Sequence, residues 1–448
     1  MTPLLYLLGV VVFVLAILAS IGLHELGHMI PAKAFGGKVT QYFIGFGPTI
    51  WSRQKGETEY GVKAIPVGGY VKIVGMLPPD KEHQAKVEYD EEGNRVVTVR
   101  RSNTGLFAQL ISDARAAEWE TITAEDEHRL FYRMPWWKKV VVMAGGPTVN
   151  LMIAFVIFAG LFATYGNPAD EVLHPTVSKV EACVVPAAQD GRVCRPSDPV
   201  SPARQAGLQV GDRFVSFNGT PVHDWGDMQD LIRNNENGAA TIVVERDGHQ
   251  VTLHANTMVT PRPTDVNDPT KLTPVGFLGV SPTVTYTTGG PIYTIQQMGG
   301  LAKQSAQALA TLPVKVWGVA EAIAGVKPRA ADSPVSVVGG GRLAGETASA
   351  QDFPLKDKLV SVLGLVAGFN FFIGLFNFIP LLPLDGGHIA GALWEQARRV
   401  WARIRRRPDP GYVDVAKLLP VAYVVASFLL VMGVVLIVGD LVVPVQVS

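Results

Sequence analysis

The sequence predicts a polytopic α-helical membrane protein: four transmembrane helices, a small β-sheet on the cytoplasmic side, and one compact β-rich domain on the outside. Three observations carry this. Four stretches, Met1–Leu23, Val140–Ala169, Leu359–Leu384 and Leu418–Gly439, contain no Asp, Glu, Lys or Arg. Each is longer than the roughly 20 residues that span about 30 Å of hydrocarbon. Charged residues make up only 17% of the 448, against roughly 25% in soluble domains, and mean hydropathy is +0.23. Lys+Arg and Asp+Glu both number 39. This neutrality speaks against a nucleic-acid binder held by bulk charge. A hydrophobic content of 48% rules out whole-chain disorder. Two cysteines supply neither a disulfide framework nor a four-thiolate zinc site.

Taken in order, residues 1–30 form the first helix. It lacks a basic start and ends in a histidine motif instead of a small-residue cleavage site, so it reads as retained and not as a signal peptide. Residues 31–137 hold glycine-punctuated strands between Gln41 and Met76, where Tyr60, Val62 and Ala64 alternate. A charged insertion follows from Pro78 to Arg133, expected to be partly helical over Leu106–Ala117. Residues 138–167 form the second span. Residues 170–260 read as a compact outer domain with an Asn-Gly hairpin at 218–219 and a strand pair around Asp247-Gly248. Residues 261–356 connect it onward: Gln304–Val326 reads as an interfacial helix interrupted at Pro313, and Ser333–Gly345 as a glycine-rich loop. Residues 357–390 are the third span. Its Asn370, Asn377, Pro380 and Pro383 leave a re-entrant helix open. Residues 391–417 are a basic loop and residues 418–440 the fourth span.

Arg398, Arg399, Arg403, Arg405, Arg406, Arg407 and Lys417 place the last loop in the cytoplasm by the positive-inside rule, while both tails lack Lys and Arg. Both termini and the compact domain are then outside, and His24 and Asp385 share the cytoplasmic face.

The chemistry centres on HELGH at 24–28. His24 and His28, four apart, share one face of a helix. Two imidazoles leave a tetrahedral Zn2+ room for a third ligand and water. Glu25 beside them is placed to take a proton from that water. Ionisable groups at such depth are costly without partners. The third ligand must be an acid or histidine at the same face. Asp385, in NFIPLLPLDGGH, meets that condition, His388 is the rival, and the topology excludes Asp440. Pro380 and Pro383 break the helix just before the aspartate, so the freed backbone and Asn377 can face a water-lined cavity.

These residues resemble the site-2 protease family. HELGH in the first helix, N-x-x-P-x-x-P-L-D-G in a later one, GFGP followed by IPVGGYVKI, MAGGPTVNLMIAF and GRLAG all fit its RseP-type bacterial members. The resemblance implies one Zn2+ held by His24, His28 and Asp385, with Glu25 as general base. It implies substrate contacts at Asn377 and the loop near Gly45 and Gly47, to which Pro380 and Pro383 are added as candidates. It further implies single-span substrates such as an anti-sigma factor, cut in a bacterial inner membrane after an upstream site-1-type protease, with no nucleic-acid partner. SPARQAGLQVGDRFVSFNG looks like a PDZ module, and only one is found, as in single-PDZ members. Cys183 and Cys194 both lie in it, where the oxidising side permits a disulfide and separate thiols are the alternative. Two rival readings are a catalytically idle membrane PDZ scaffold and a membrane-anchored zinc protease of soluble peptides.

Overall fold

The computed structural model describes residues 2–78, 86–89, 95–98, 111, 113–114, 124–187, 192–236, 238–264, 272–351 and 354–445. The helical expectation over Leu106–Ala117 lies almost wholly outside them. The chain divides into two units, residues 1–161 with 291–448, and residues 162–290.

In the first unit, α1 (Thr2–Ala34) continues through the histidine motif without a break. Strands β1 (Val39–Lys55) and β2 (Thr58–Ile73) are antiparallel and bend so that each is used twice. Residues 39–44 pair with 59–62 on one side and 69–73 on the other, and 51–55 return against 58–62. The order across this small sheet is 69–73, 39–44, 58–62, 51–55, which leaves 69–73 as an edge. A short ladder, β3 (Lys86–Tyr89) with β4 (Arg95–Thr98), follows. Helix α2 is Trp136–Thr164. Met29, Ala32, Val39, Ile73, Val142 and Met143 form a shared core that fixes α1, the sheet and α2 together.

The second unit begins at β5 (Asn167–Val180) and continues through α3 (Pro202–Gln205), β6 (Arg213–Phe217), β7 (Thr220–Pro221), α4 (Trp225–Asn234), β8 (Gly238–Arg246), β9 (His249–Pro263), β10 (Leu272–Phe277) and β11 (Val280–Thr287). The sheet order is β10-β9-β8-β6-β5-β11, with β7 paired to β6. Chain reversals fall at Asn218-Gly219 and Asp247-Gly248, all four with positive φ, the geometry of tight hairpin turns. The core is Phe214, Phe217, Met228, Ile242 and Val244 with Trp225 and Leu278. Asp224 caps α4 by accepting from the Asp227 amide. Cys183 and Cys194 are joined in a disulfide, with Cα atoms 6.0 Å apart. The unit is larger than the 170–260 expected for the outer domain, because β10 and β11 complete its sheet.

The chain returns to the first unit at α5 (Pro291–Ile323), a continuous helix with Pro313 inside it and not an interrupted one. The expected loop at Ser333–Gly345 is instead the start of helix α6 (Val337–Ser349). Ser336 caps it, its hydroxyl accepting from the Val338 and Gly339 amides. Its glycines are packing surface: a Cβ at Gly340 would lie 2.7 Å from Phe369 and 2.9 Å from Phe13, and one at Gly345 2.8 Å from Tyr6. Small residues let membrane helices approach closely. Helix α7 (Leu355–Asn377) ends where the expected third span was to continue to 390. The chain breaks over residues 378–384, and α8 (Asp385–Ile404) occupies what was expected to be a basic loop. Helix α9 (Leu419–Val442) completes the fold. Among the described residues, four helical stretches are long and apolar enough to cross a membrane: Pro3–Ala34, Trp136–Thr164, Leu355–Asn377 and Val415–Val442. Asp440, at the end of α9, is buried against Arg329 at 2.8 Å and accepts from the Ser336 amide at 2.6 Å. Pairing satisfies an acid that would otherwise be costly in an apolar setting.

Candidate metal centre

His24 and His28 sit one turn apart on α1, and their Nε2 atoms lie 3.2 Å from each other. Asp385, the first residue of α8, brings Oδ2 to 3.4 Å from His24 Nε2 and 3.3 Å from His28 Nε2. Among the described residues this is the one cluster of three or more His, Cys, Asp or Glu residues with metal-ligand geometry.

The opposite ring nitrogens explain the orientation. His28 Nδ1 faces the Val142 carbonyl at 2.8 Å, and His24 Nδ1 faces Asn150 Oδ1 at 2.9 Å. A carbonyl oxygen only accepts, so His28 Nδ1–H donates and its Nε2 presents a lone pair. His24 follows the same logic with the Asn150 amide oxygen. Two imidazole lone pairs and a carboxylate oxygen thus converge, which is unfavourable unless a cation or proton lies among them. Ligand atoms about 2.1 Å from a tetrahedral zinc stand about 3.4 Å apart. The three observed separations match that value. The residues present therefore fit Zn2+, and Asn150 and the Val142 carbonyl supply the outer hydrogen bonds that fix ligating imidazoles.

Close packing of α1 on α2 makes this possible. A Cβ on Gly145 would strike the Gly27 carbonyl, and one on Gly146 would strike Nε2 of both histidines. Only glycine allows α2 to pass so near the triad.

A cavity of about 410 Å3 surrounds the triad. Glu25, Asn150, Asn377, Pro383 and His388 line it, as do Gly68, Gly69, Tyr70 and Val71 of the sheet edge. Glu25 lies against the Val71 backbone amide, and a Cβ on Gly69 would lie 3.0 Å from Glu25 Cγ. The Tyr42 hydroxyl donates to the Gly22 carbonyl at 2.8 Å. Burial, and then the nearby Glu25 charge, push that phenol up to about 12.

Of the residues singled out from sequence, the cavity therefore gathers His24, Glu25, His28, Asn377, Pro383 and Asp385. Pro380 is not in its lining; it sits in the break, which also holds a cis Leu382–Pro383 bond. Gly45 and Gly47 are not in the lining either. Both have positive φ and turn β1 against Lys63 and Ile65. The glycines at the triad are Gly68 and Gly69, because the strand after the bend, not the bend itself, meets α1. His388 shares the cavity but stays outside the converging triad. Asn150 was missed. Its signal was an amide in the interior of a charge-free span, a group that demands a partner at that depth.

The family profile described as peptidase family M50 matches residues 12–408. The chain is 33% identical over 458 residues to zinc metalloprotease Rip1 of Mycobacterium tuberculosis, covering 99% of both chains. It is 34% identical to zinc metalloprotease Rip1 of Mycolicibacterium smegmatis across 94% of each. Identity to zinc metalloprotease RasP of Bacillus licheniformis is 25%, over 85% of this chain and 88% of RasP. An apolar four-helix frame, a zinc-shaped triad with an adjacent carboxylate, and a family match over most of the length lead to one conclusion: the chain belongs to peptidase family M50, the site-2 proteases, and is a zinc metalloprotease of the membrane.

Proposed function

We propose that this protease cuts single-span membrane proteins within or beside their apolar segment, with His24, His28 and Asp385 as the zinc ligands and Glu25 as the general base. The observation that carries this reading is that the triad, Glu25 and the strand edge 69–73, which among the described residues pairs on one side only, line one cavity. A transmembrane helix shields its own amides by internal hydrogen bonds, so a substrate must unwind before it can be cut. The edge offers an unwound segment a strand to add to, placed against Glu25 through Val71 and Gly69.

Bound zinc supplies Lewis acidity, polarising a carbonyl and acidifying water. The rest belongs to the chain. Asn150 and the Val142 carbonyl hold the imidazoles with Nε2 turned inward. The edge amides and Asn377 hold the substrate backbone. The Glu25 carboxylate takes the proton of the attacking water and passes it to the leaving amide nitrogen.

Several finer parts belong to the same proposal. The active centre faces the cytoplasm of a bacterial inner membrane, and the 162–290 unit and both termini lie outside. That unit acts as a single PDZ module, supported by the groove of about 290 Å3 between α4 and residues 275–280. The substrate is an anti-sigma factor or a similar regulator, first cut outside by a site-1-type protease. Mass spectrometry of membrane proteins that accumulate in a Glu25→Gln strain tests this. Accumulation of trimmed single-span fragments is expected. A membrane proteome unchanged from wild type would overturn the substrate class.

A further inference from the structure

Helix α8 begins at the metal ligand Asp385 and carries two unlike faces. One face is buried: Ala392, Glu395 and Ala402 turn inward, and Glu395 accepts from Lys139 of α2 at 2.8 Å. The opposite face is apolar and uncovered. Trp394 is 61% exposed, Trp401 57% and Ile404 73%, and Leu393 and Val400 stand beside them. At 3.6 residues per turn these side chains fall within an arc of about 120° centred away from Glu395.

Arginines border that arc. Arg398 and Arg405 lie along one margin and Arg403 along the other, followed at once by Arg406 and Arg407. The Arg405 guanidinium lies 4.2 Å above the Trp401 ring. Among the described residues, Arg399 pairs with Glu395 and Asp409. Among the described residues, Arg403, Arg405, Arg406 and Arg407 are in no ion pair.

Chain connectivity says what covers this face. The span Leu355–Asn377 ends seven residues before α8, and the next span starts at Val415. A helix held between two spans lies at the membrane surface. It carries too many charges to cross, and its exposed tryptophans and flanking arginines are the residues of the headgroup layer. Clustered arginines on such a helix favour anionic lipid. We propose that the outer face of α8 is a docking surface for anionic phospholipid, with its apolar arc at the headgroup–acyl boundary and its arginines on the phosphates. The helix is pinned on its inner side by Lys139–Glu395, so the lipid contact bears on the seating of Asp385 at its first turn. This rests on the chain spanning a membrane and not on the identity of its substrate.

The test uses the full-length protein with Ala397→Cys, in the centre of the arc. Cys183 and Cys194 are already bonded to each other, so a nitroxide goes to this position alone. The labelled protein is reconstituted in phosphatidylcholine vesicles with and without phosphatidylglycerol. Collisions with oxygen and with a water-soluble nickel chelate then report depth, and no turnover is needed. The oxygen-to-nickel ratio should rise several-fold when phosphatidylglycerol is present. Changing Arg403, Arg405, Arg406 and Arg407 together to Gln should abolish that rise, and changing them to Lys should keep most of it. A label exposed to water in both vesicles would overturn the proposal and leave the face to a soluble partner. A label equally deep in both would also overturn it, since charge would then play no part. The wild-type comparison between the two lipids stands even if a quadruple variant fails to fold.

Discussion

Each histidine at the centre is held at both nitrogens, one turned to the metal position and one to a fixed acceptor. This makes Asn150 as much part of the site as the ligands. Asn150→Ala should weaken zinc affinity about 10- to 100-fold, measured by competition with a chelator, while the span stays folded. Asp385→Asn should weaken it at least as much, because a neutral amide replaces the only anionic ligand. If zinc affinity were unchanged in Asp385→Asn, His388 would be the next residue to examine. That His24, His28 and Asp385 come together could be read from sequence. HELGH declares itself by helical spacing, and Asp385 follows from counting spans. Asn150 could not be found that way, because its bond to His24 joins residues 126 apart and no spacing rule reaches so far.

Among the elements, the sheet edge carries the clearest consequence. Gly69 passes 3.0 Å from Glu25, Ile21 and the Phe43 carbonyl, measured from where a Cβ would stand. Gly69→Val should therefore displace the edge and lower cleavage of a helical substrate by an order of magnitude or more. Zinc content should remain that of wild type, which separates a substrate-edge effect from loss of metal. In the second unit, Arg246 donates to both oxygens of Asp212 at 2.7 Å, and the Gln209 amide adds a third bond. Burial alone would raise that carboxyl, but these donors hold it below the ordinary aspartate range. A carboxyl depressed in the folded state stabilises above its unfolded pKa, and the contribution is lost as pH falls through the folded value. Asp212→Asn should cost the unit about 2–3 kcal/mol near neutral pH. The gap from wild type should close below about pH 4, as read by hydrogen-exchange protection. Elements with a strong period or turn signal were legible: the apolar helices, though not the end of the third at Asn377, the hairpins at Asn218-Gly219 and Asp247-Gly248, and the break before Asp385. Helix α6 was not, since a run of glycines reads as a loop until Phe13, Phe369 and Tyr6 are seen packed against it. The bend that turns β1 and β2 into four paired segments was equally hidden, so Gly45 and Gly47 drew the expectation that belonged to Gly68 and Gly69.

At the scale of the molecule, the two units are separable in sequence. The Gly289 amide donates to the Phe162 carbonyl at 3.0 Å, so the ends of the second unit meet and the unit can be excised with a short linker. If it serves as a size filter for substrates with large outer domains, its removal should permit cleavage of an untrimmed substrate without the first cut. An excised protein that still spares the full-length substrate, yet cuts a trimmed one normally, would move selection into the membrane segments or the strand edge. The central claim is that zinc held by His24, His28 and Asp385, with Glu25 as base, cuts inside a membrane segment. The most direct measurement pairs zinc content with product mass, using purified wild-type and Glu25→Gln protein reconstituted in vesicles with a single-span substrate. The account predicts about one zinc per chain in both, cleavage within or beside the apolar segment by wild type, and none by Glu25→Gln. Cleavage by Glu25→Gln at the wild-type rate, or a cut confined to the soluble part of the substrate, would contradict it.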